Sequence, residues 1–486
     1  MFIGREEYLE DLESLWQKGT SSLVACRGRR RIGKSTLFRE FARRTADVYI
    51  EIEGLMPEPG MTNEMQLRGF AESLAAQTGT EDSVPTNWLN AFIRLDREID
   101  DTKRTIVMLD EISWMGGYDK LFAATLRKAW ERYFHRHDRL ILILCGSVSS
   151  WIKDELLGST GFTGRFSRDF VLPELTLKEC AGFWGRAADR ISPREIVDVL
   201  SITGGVPRYL EEVNPALDAN ENIRKMCFLK SGELFRDFDA IFNPVFGEDV
   251  VIKKDILRIL ADGPCTGAEL AEKLGSARNG HLSAHLRELK EGGFLSDDCG
   301  INPETGRRSR IAKYRLKDNY TRFYLKYVMP HKAEIELGTY RFSSLDRLPE
   351  WHTVMGLQFE NLIVNNAMDV VPHLHLGGAT VESAAPYRNS RKDGGGKKTG
   401  CQIDLLIQTP RTAYVVEVKR RNEIDSTIED EVAERIKRLP LREGMSARPV
   451  LVYDGKLDPV VEGNGYFDAV IPVSKLLGVV QYRGES

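Results

Sequence analysis

The sequence predicts a mixed α/β chain in three successive parts: a helix-flanked parallel sheet, a helical module closed by a hairpin, and a second α/β domain. Three observations predict it. Short β-branched apolar runs alternate with amphipathic stretches over the first part, the middle of the chain turns helical and basic, and strands return in the last third. The boundaries expected are 1–215, 216–335 and 336–486, which suits a length of 486 residues at roughly 100 to 200 per domain.

In the first part, Ser22 to Cys26, Val48 to Ile52, Thr105 to Leu109 and Leu140 to Leu144 read as buried strands, because unbroken apolar runs fit a parallel sheet covered on both faces. In the second, Val251 to Leu260, Thr266 to Leu274 and Asn279 to Lys290 read as helices. The last has Leu282, Leu286 and Leu289 on one face and Gly292-Gly293 as its stop; Asn279, His281, Ser283, His285 and Arg287 form its polar face. A hairpin follows, turning at Asn302-Pro-Glu-Thr-Gly306, with Arg307, Arg308, Arg310, Lys313, Arg315 and Lys317 along a basic strand. This is the plan of a winged helix-turn-helix. In the third part, Gly356-Leu-Gln-Phe359-Glu360 opens a helix, and Cys401 to Ile407 and Ala413 to Lys419 form two strands joined near Pro410.

Composition narrows the function. The chain is 42% hydrophobic, which excludes disorder, and its 68 Lys and Arg against 72 Asp and Glu exclude bulk coating of a polyanion. Affinity for nucleic acid must then be local, and residues 251–330 hold 15 Lys and Arg against 10 Asp and Glu. The longest apolar stretch, Leu140 to Cys145, falls short of the roughly 18 residues of a membrane helix, so no membrane is expected and the location expected is the cytoplasm. Seven cysteines without a CxxC suggest free thiols in a reducing compartment, and no metal-ligand spacing points to structural zinc. His281 and His285 have no third ligand nearby and read as surface polar residues.

The strongest chemical motif is Gly28-Arg-Arg-Arg-Ile-Gly33-Lys34-Ser35, which fits GxxxxGK[ST] between a strand and a helix that Thr36 continues. Its backbone N–H groups and the helix N-terminus suit phosphate, Lys34 can reach the β and γ phosphates of ATP, and Ser35 suits Mg²⁺. Farther on, the apolar strand Thr105 to Leu109 ends in Asp110 and Glu111. Asp110 is expected to hold Mg²⁺ through water and Glu111 to orient the attacking water.

With Phe2-Ile-Gly-Arg5, Cys145-Gly-Ser147 and Gly204-Gly-Val-Pro207-Arg-Tyr-Leu added, residues 1–215 resemble the archaeal-type branch of the STAND/AAA-related P-loop ATPases. The resemblance implies adenine held near Ile3 to Arg5, a sensor-type polar residue at Ser147, and a lid at Gly205 and Pro207. Arg165 stands where such ATPases often direct an arginine at the γ-phosphate, with an ordinary salt bridge as the alternative. Three consecutive arginines leave open which of Arg29, Arg30 and Arg31 faces nucleotide.

In the third part, Glu417 and Lys419 share a strand face, and a turn centred on Pro410-Arg411 sets Asp404 directly across from Glu417. Opposed carboxylates repel, and a divalent cation between them would remove the penalty. This pattern resembles the PD-(D/E)XK, restriction-endonuclease-like fold in a DUF234-type C-terminal region. The resemblance implies Mg²⁺ held by Asp404 and Glu417 with Glu360 in support, and Lys419 acting on the attacking hydroxide or the developing phosphorane charge. Helix residues Glu429, Glu431 and Glu434 follow, without a RecB-like glutamine motif. Arg388, Arg391, Lys392, Lys397 and Lys398 either steer a phosphate backbone or solvate a loop. The function expected is an ATPase coupling a nucleotide switch to a DNA-binding winged helix and a nuclease-like domain. The alternative is a non-nucleolytic ATP switch that binds a protein partner, and oligomeric state is left open.

Overall fold

The structure, a computed structural model, describes residues 2–81, 83–147, 151–158, 161–238, 249–275, 280–309, 313–389 and 400–479. Asn279, Arg310, Arg391, Lys392, Lys397 and Lys398 lie outside the described residues. The chain divides into two compact units, Met1–Glu174 with Arg287–Gly293, and Leu175–Leu286 with Phe294–Ser486.

The first unit is built on five parallel strands, β1 (Ser22–Gly28), β2 (Val48–Glu53), β3 (Thr105–Asp110), β4 (Leu140–Ser147) and β5 (Arg168–Val171), in the order β2-β3-β4-β1-β5. All four strands read from the sequence are present, and β5 is added at the edge. Alternate residues of each strand feed opposite cores, as a two-residue period requires. Leu23, Val107, Leu109, Leu142 and Leu144 pack with Phe70, Trp88, Phe92 and Phe122 of helices Asn63–Thr78, Trp88–Arg97 and Phe122–Arg132. Val24, Ile106, Met108, Ile141 and Ile143 pack with Leu9, Leu12, Leu37, Phe38 and Phe41 of helices Glu6–Glu13 and Lys34–Thr45. Each such side chain contributes roughly 1.5 to 3 kcal/mol by burial, so the strand ends that carry the polar motifs stand on a rigid base. Helix starts are set locally: Thr62 caps Asn63–Thr78 and Asn87 caps Trp88–Arg97 through side-chain oxygens.

The second unit holds helices Val250–Ala261, Gly267–Lys273 and Gly280–Glu291, the last extending across the division, and a small antiparallel sheet in the order β6 (Cys265–Thr266), β8 (Lys313–Leu316), β7 (Leu295–Asp297). Thr266 and Glu269 close a capping box at the start of the middle helix. Among the described residues of the basic stretch, Lys313–Leu316 form β8 and Arg308 makes an isolated bridge to Ile301.

The larger sheet of this unit runs β13 (Ala469–Pro472), β12 (Ser446–Leu457), β11 (Thr412–Ile424), β10 (Cys401–Gln408), β9 (Ser383–Asn389). Strands β9 to β11 are antiparallel, whereas β12 and β13 continue parallel to β11. Helix Thr427–Arg438 makes the β11 to β12 crossover. The helix bearing Glu360 is Trp351–Asn365, so Gly356 lies in its interior and does not open it. Its start is set after Pro349 by Glu350 at φ 54°; the motif residues simply share a longer apolar face.

Candidate active site

The C-terminal ends of β1, β3 and β4 place the polar motifs at one edge of the first sheet, because β4 lies between the strand of the glycine loop and the strand of the two acids. Gly33 has φ 85°, which glycine adopts without penalty, and a Cβ on Gly28 would meet Ile32 and the Leu172 carbonyl at 3.1 Å. The loop then enters helix Lys34–Thr45. The Lys34 ammonium donates to the carbonyls of Gly28 at 3.1 Å and Arg29 at 3.3 Å. Ser35 Oγ donates to Asp110 Oδ2 at 2.5 Å. Glu111 Oε2 accepts from the Ser147 backbone N–H at 3.1 Å and from its hydroxyl at 3.0 Å. Glu53, ending the neighbouring β2, has its carboxyl pushed upward by burial and then by the charges of Asp110 and Glu111.

Backbone strain collects at the same place. Among the described residues, Arg5, Arg31, Glu111 and Glu350 are the non-glycine residues with positive φ, a conformation of roughly 1 to 2 kcal/mol cost. The first three are residues singled out in the sequence. Arg5 donates to the Pro173 carbonyl at 2.5 Å and, more weakly, to that of Glu174 at 3.5 Å, while Ile3 is half-buried beside it in the chain. Of the loop arginines, Arg29 is buried with its guanidinium 3.8 Å from Glu174, and Arg30 lies over the Trp114 ring at 5.0 Å. Thr36 is exposed on the first turn of the following helix. Arg165 is paired with Glu131 at 2.5 Å. Pro207, which begins the short helix Pro207–Leu210, and Gly205 belong to the second unit.

The second polar centre lies in the larger sheet of the second unit. The β10 to β11 register pairs Leu405 with Val416 and Gln408 with Ala413, the alignment a turn at Pro410-Arg411 requires. At the next position the ladder gives way. Asp404 Oδ2 accepts from the Val418 backbone N–H at 3.0 Å, next to an irregularity between Ile403 and Leu406 in the pairing with β9. Asp404 is 7% exposed and Glu417 1%. Burial pushes the Asp404 carboxyl up to about 6, Glu360 adding to the rise, and burial followed by Asp404 pushes Glu417 upward.

The charges that answer these acids come from side chains. Arg435, on helix Thr427–Arg438, donates to Glu417 Oε2 and stands 3.8 Å from Asp404; Lys419 Nζ is 2.7 Å from Glu417 Oε1 and 3.1 Å from Glu431. Glu360 faces Arg388 at 3.6 Å, and burial raises its carboxyl. Among the described residues no group of three or more His, Cys, Asp or Glu is gathered to hold a metal ion. Arg435 and Lys419 take up the two carboxylate oxygens of Glu417, and Val418 N–H takes one of Asp404, so the acids as arranged do not fit the Mg²⁺ expected there.

On the helix-turn-helix, Leu282, Leu286 and Leu289 are buried, as their spacing predicts. Arg307 and Arg308 are exposed beyond the hairpin turn. His285 is 3.9 Å from Asp249.

Residues 2–213 match the profile of a family described as an ATPase domain predominantly from Archaea, and residues 254–297 match a helix-turn-helix domain. The chain carries an archaeal-type ATPase domain. An uncharacterized protein of Methanocaldococcus jannaschii is 24% identical over 385 residues, covering 77% of this chain and 80% of that protein. An uncharacterized ATP-binding protein of the same organism is 44% identical over 41 residues, 8% of this chain and 70% of that one. A solved Walker-type ATPase of Pyrococcus abyssi aligns with a TM-score of 0.48 at 17% identity, over 67% of this chain and 96% of its own. No helix among the described residues is long and apolar enough to cross a membrane.

In the ATPase domain the residues brought together are those read from the loop and from the ends of β3 and β4. Sequence reasoning missed Glu53, whose only signal was its place at the end of a strand beside the acid-bearing one. In the C-terminal domain it missed Arg435. The signal that could have found it was spacing, since Arg435 lies four residues after Glu431 and therefore on the same helical face.

Proposed function

We propose that the chain binds ATP with Mg²⁺, hydrolyses it in its ATPase domain and contacts DNA through a winged helix-turn-helix. The observation that carries the first part is the Ser35 to Asp110 contact of 2.5 Å beside Lys34, with Glu111 held by Ser147 one strand away. Two oxygens converging in this way fit a hard divalent cation. When bound, Mg²⁺ neutralises phosphate charge. The chain's own residues do the rest: Lys34 leaves its loop carbonyls for the β and γ phosphates, backbone N–H groups from Gly28 through Arg31, Gly33 and Thr36 cradle them, and Glu111 orients the water. Ile3 and Arg5 border the base, and Arg165 approaches the γ-phosphate by exchanging its Glu131 partner.

DNA contact is supported by the basic charge of residues 251–330, the exposed Arg307 and Arg308, and the three-helix arrangement. For the third part we propose a PD-(D/E)XK-like fold, supported by the helix, three antiparallel strands, crossover helix and parallel strand that follow one another there. Its buried acids are compensated by Arg435 and Lys419, which favours a domain that holds DNA or a partner protein without cutting. The test combines ATP turnover and DNA binding by the full chain with a plasmid-nicking assay in Mg²⁺ or Mn²⁺. Phosphate release lost in Lys34→Ala, with intact plasmid throughout, is the expected result. Nicking that disappears in Asp404→Ala overturns the non-cleaving reading, and phosphate release unchanged in Lys34→Ala overturns the nucleotide site.

A further inference from the structure

Three consecutive arginines occupy the phosphate loop, and the structure gives them different tasks. Arg29 turns inward: it is buried, its guanidinium lies 3.8 Å from Glu174, and a Cβ on Gly293 would meet its side chain at 3.5 Å. Arg31 supplies a left-handed turn in the loop at φ 68°. Arg30 is half-buried and reaches the residues that follow the acid-bearing strand, where its guanidinium lies 5.0 Å from the centre of the Trp114 ring.

The place of that ring gives the contact its meaning. Trp114 lies on the short helix Ile112–Gly116 that follows Glu111, and its backbone N–H donates to the Glu111 carbonyl at 2.8 Å. Arg30 therefore spans from the loop that takes the phosphates to the segment anchored on the acid that orients the water, and the γ-phosphate has to lie in that interval. Among the described residues no carboxylate pairs with Arg30, so its charge is answered by an aromatic face. A guanidinium carries five N–H donors in a planar fork, and an indole face offers no oxygen to accept them. The two partners are unequal. A cation–π contact at a partly exposed site is worth about two- to fivefold in an equilibrium, whereas a charge-assisted contact to phosphate is worth about tenfold to a hundredfold. Arg165 differs, since its approach requires an ion pair with Glu131 to break.

We propose that Arg30 is the side chain that distinguishes ATP from ADP, resting on Trp114 when the γ-phosphate is absent and turning its guanidinium onto that phosphate when ATP is bound. The inference rests on the nucleotide reading above and sharpens it, from a loop that binds ATP to the residue that reads the third phosphate. The backbone N–H groups of the loop serve both nucleotides, so discrimination has to come from a side chain that meets the γ-phosphate. Arg30 needs only to exchange a ring for an oxygen to do so.

The experiment titrates the full chain in Mg²⁺ with fluorescent analogues of ADP and of ATP, the latter one that is hydrolysed slowly. Arg30→Ala removes the charge, Arg30→Gln removes it while keeping most of the length, and Trp114→Leu removes the competing ring; unchanged thermal melting certifies the fold of each variant used. In the Arg30 variants the expected result is a loss of about tenfold or more in affinity for the ATP analogue, with affinity for ADP within about twofold. In Trp114→Leu the ATP analogue should bind as tightly as to the wild type, or up to about fivefold more tightly, because the arginine no longer has a ring to leave. A brace that merely ties the loop to the helix would behave otherwise. Arg30 variants that weaken both nucleotides alike or neither, or a Trp114→Leu chain that loses ATP affinity as Arg30→Ala does, overturn the inference and leave ATP binding standing. A wild-type chain that binds neither nucleotide overturns both.

Discussion

Lys34 donates to two carbonyls of its own loop, so its charge is already positioned and needs only a change of partner when phosphate arrives. Lys34→Ala is therefore expected to weaken ATP binding at least about tenfold, read by titration with a fluorescent ATP analogue, because a charge-assisted contact is worth roughly 1.5 to 3 kcal/mol. Glu111→Gln keeps the hydrogen bond from Ser147 but removes the negative charge. It should bind ATP like the wild type and release phosphate at least about a hundredfold more slowly, within the range of a lost general base; equal loss of binding and turnover would make Glu111 structural. Residue-scale reading of the sequence worked for these positions because each chemical role depends on neighbours close in sequence. It failed for Arg435, which meets Glu417 across a crossover. Arg435→Ala leaves two buried acids with Lys419 alone. The variant should lose roughly 3 kcal/mol of stability, the low end for breaking a buried pair because the arginine is partly exposed, and regain part of it in millimolar Mg²⁺, seen as a metal-dependent rise in melting temperature much larger than that of the wild type.

At the scale of elements, register was the most legible feature of the C-terminal domain, since two runs and one proline turn determine which residues pair. The order β2-β3-β4-β1-β5 was not, because connections long enough to include a helix allow a strand to insert beside several neighbours. The start of Trp351–Asn365 was missed for a simpler reason: an apolar helix that is buried broadly shows no sharp polar boundary. The hairpin arginines are a separate case, as their exposure follows from their place at the turn, where Arg308 bridges Ile301 and the Arg307 carbonyl accepts from the Asn302 N–H. Reversing Arg307 and Arg308 to Glu should weaken binding of DNA of any sequence and lower the slope of log affinity against log salt by about two, one for each lost phosphate contact. Coincident salt titrations of wild type and variant would remove these arginines from the interface.

At the scale of the whole molecule, the second unit has a distinctive ionisation pattern. Asp404 and Asp198 are both pushed up to about 6, chiefly by burial, and Glu360, Glu417 and Asp454 are raised as well. Asp198, on helix Pro193–Thr203, and Asp454, on β12, share Arg420, whose side chain is almost fully covered. An acid whose folded pKa exceeds its unfolded value holds its proton more tightly when folded. Its contribution is therefore fully present below the unfolded value, near 4, and is lost as pH rises through about 6. Each of the two aspartates is worth roughly 2 to 3 kcal/mol over that window, at about 1.4 kcal/mol for every tenfold difference in proton affinity between folded and unfolded chain. The outward sign is a melting transition of the second unit that falls between pH 5 and pH 7.5, opposite to the trend of paired acids such as Glu40, which Arg43 and Arg44 hold down at about 2. Asp404→Asn retains an oxygen to accept from Val418 N–H but cannot ionise, so its melting temperature should change less across the same interval. If scanning calorimetry of the full chain gave the variant and the wild type the same pH slope, Asp404 would already be ionised throughout that window, its charge matched by Arg435 in the native protein.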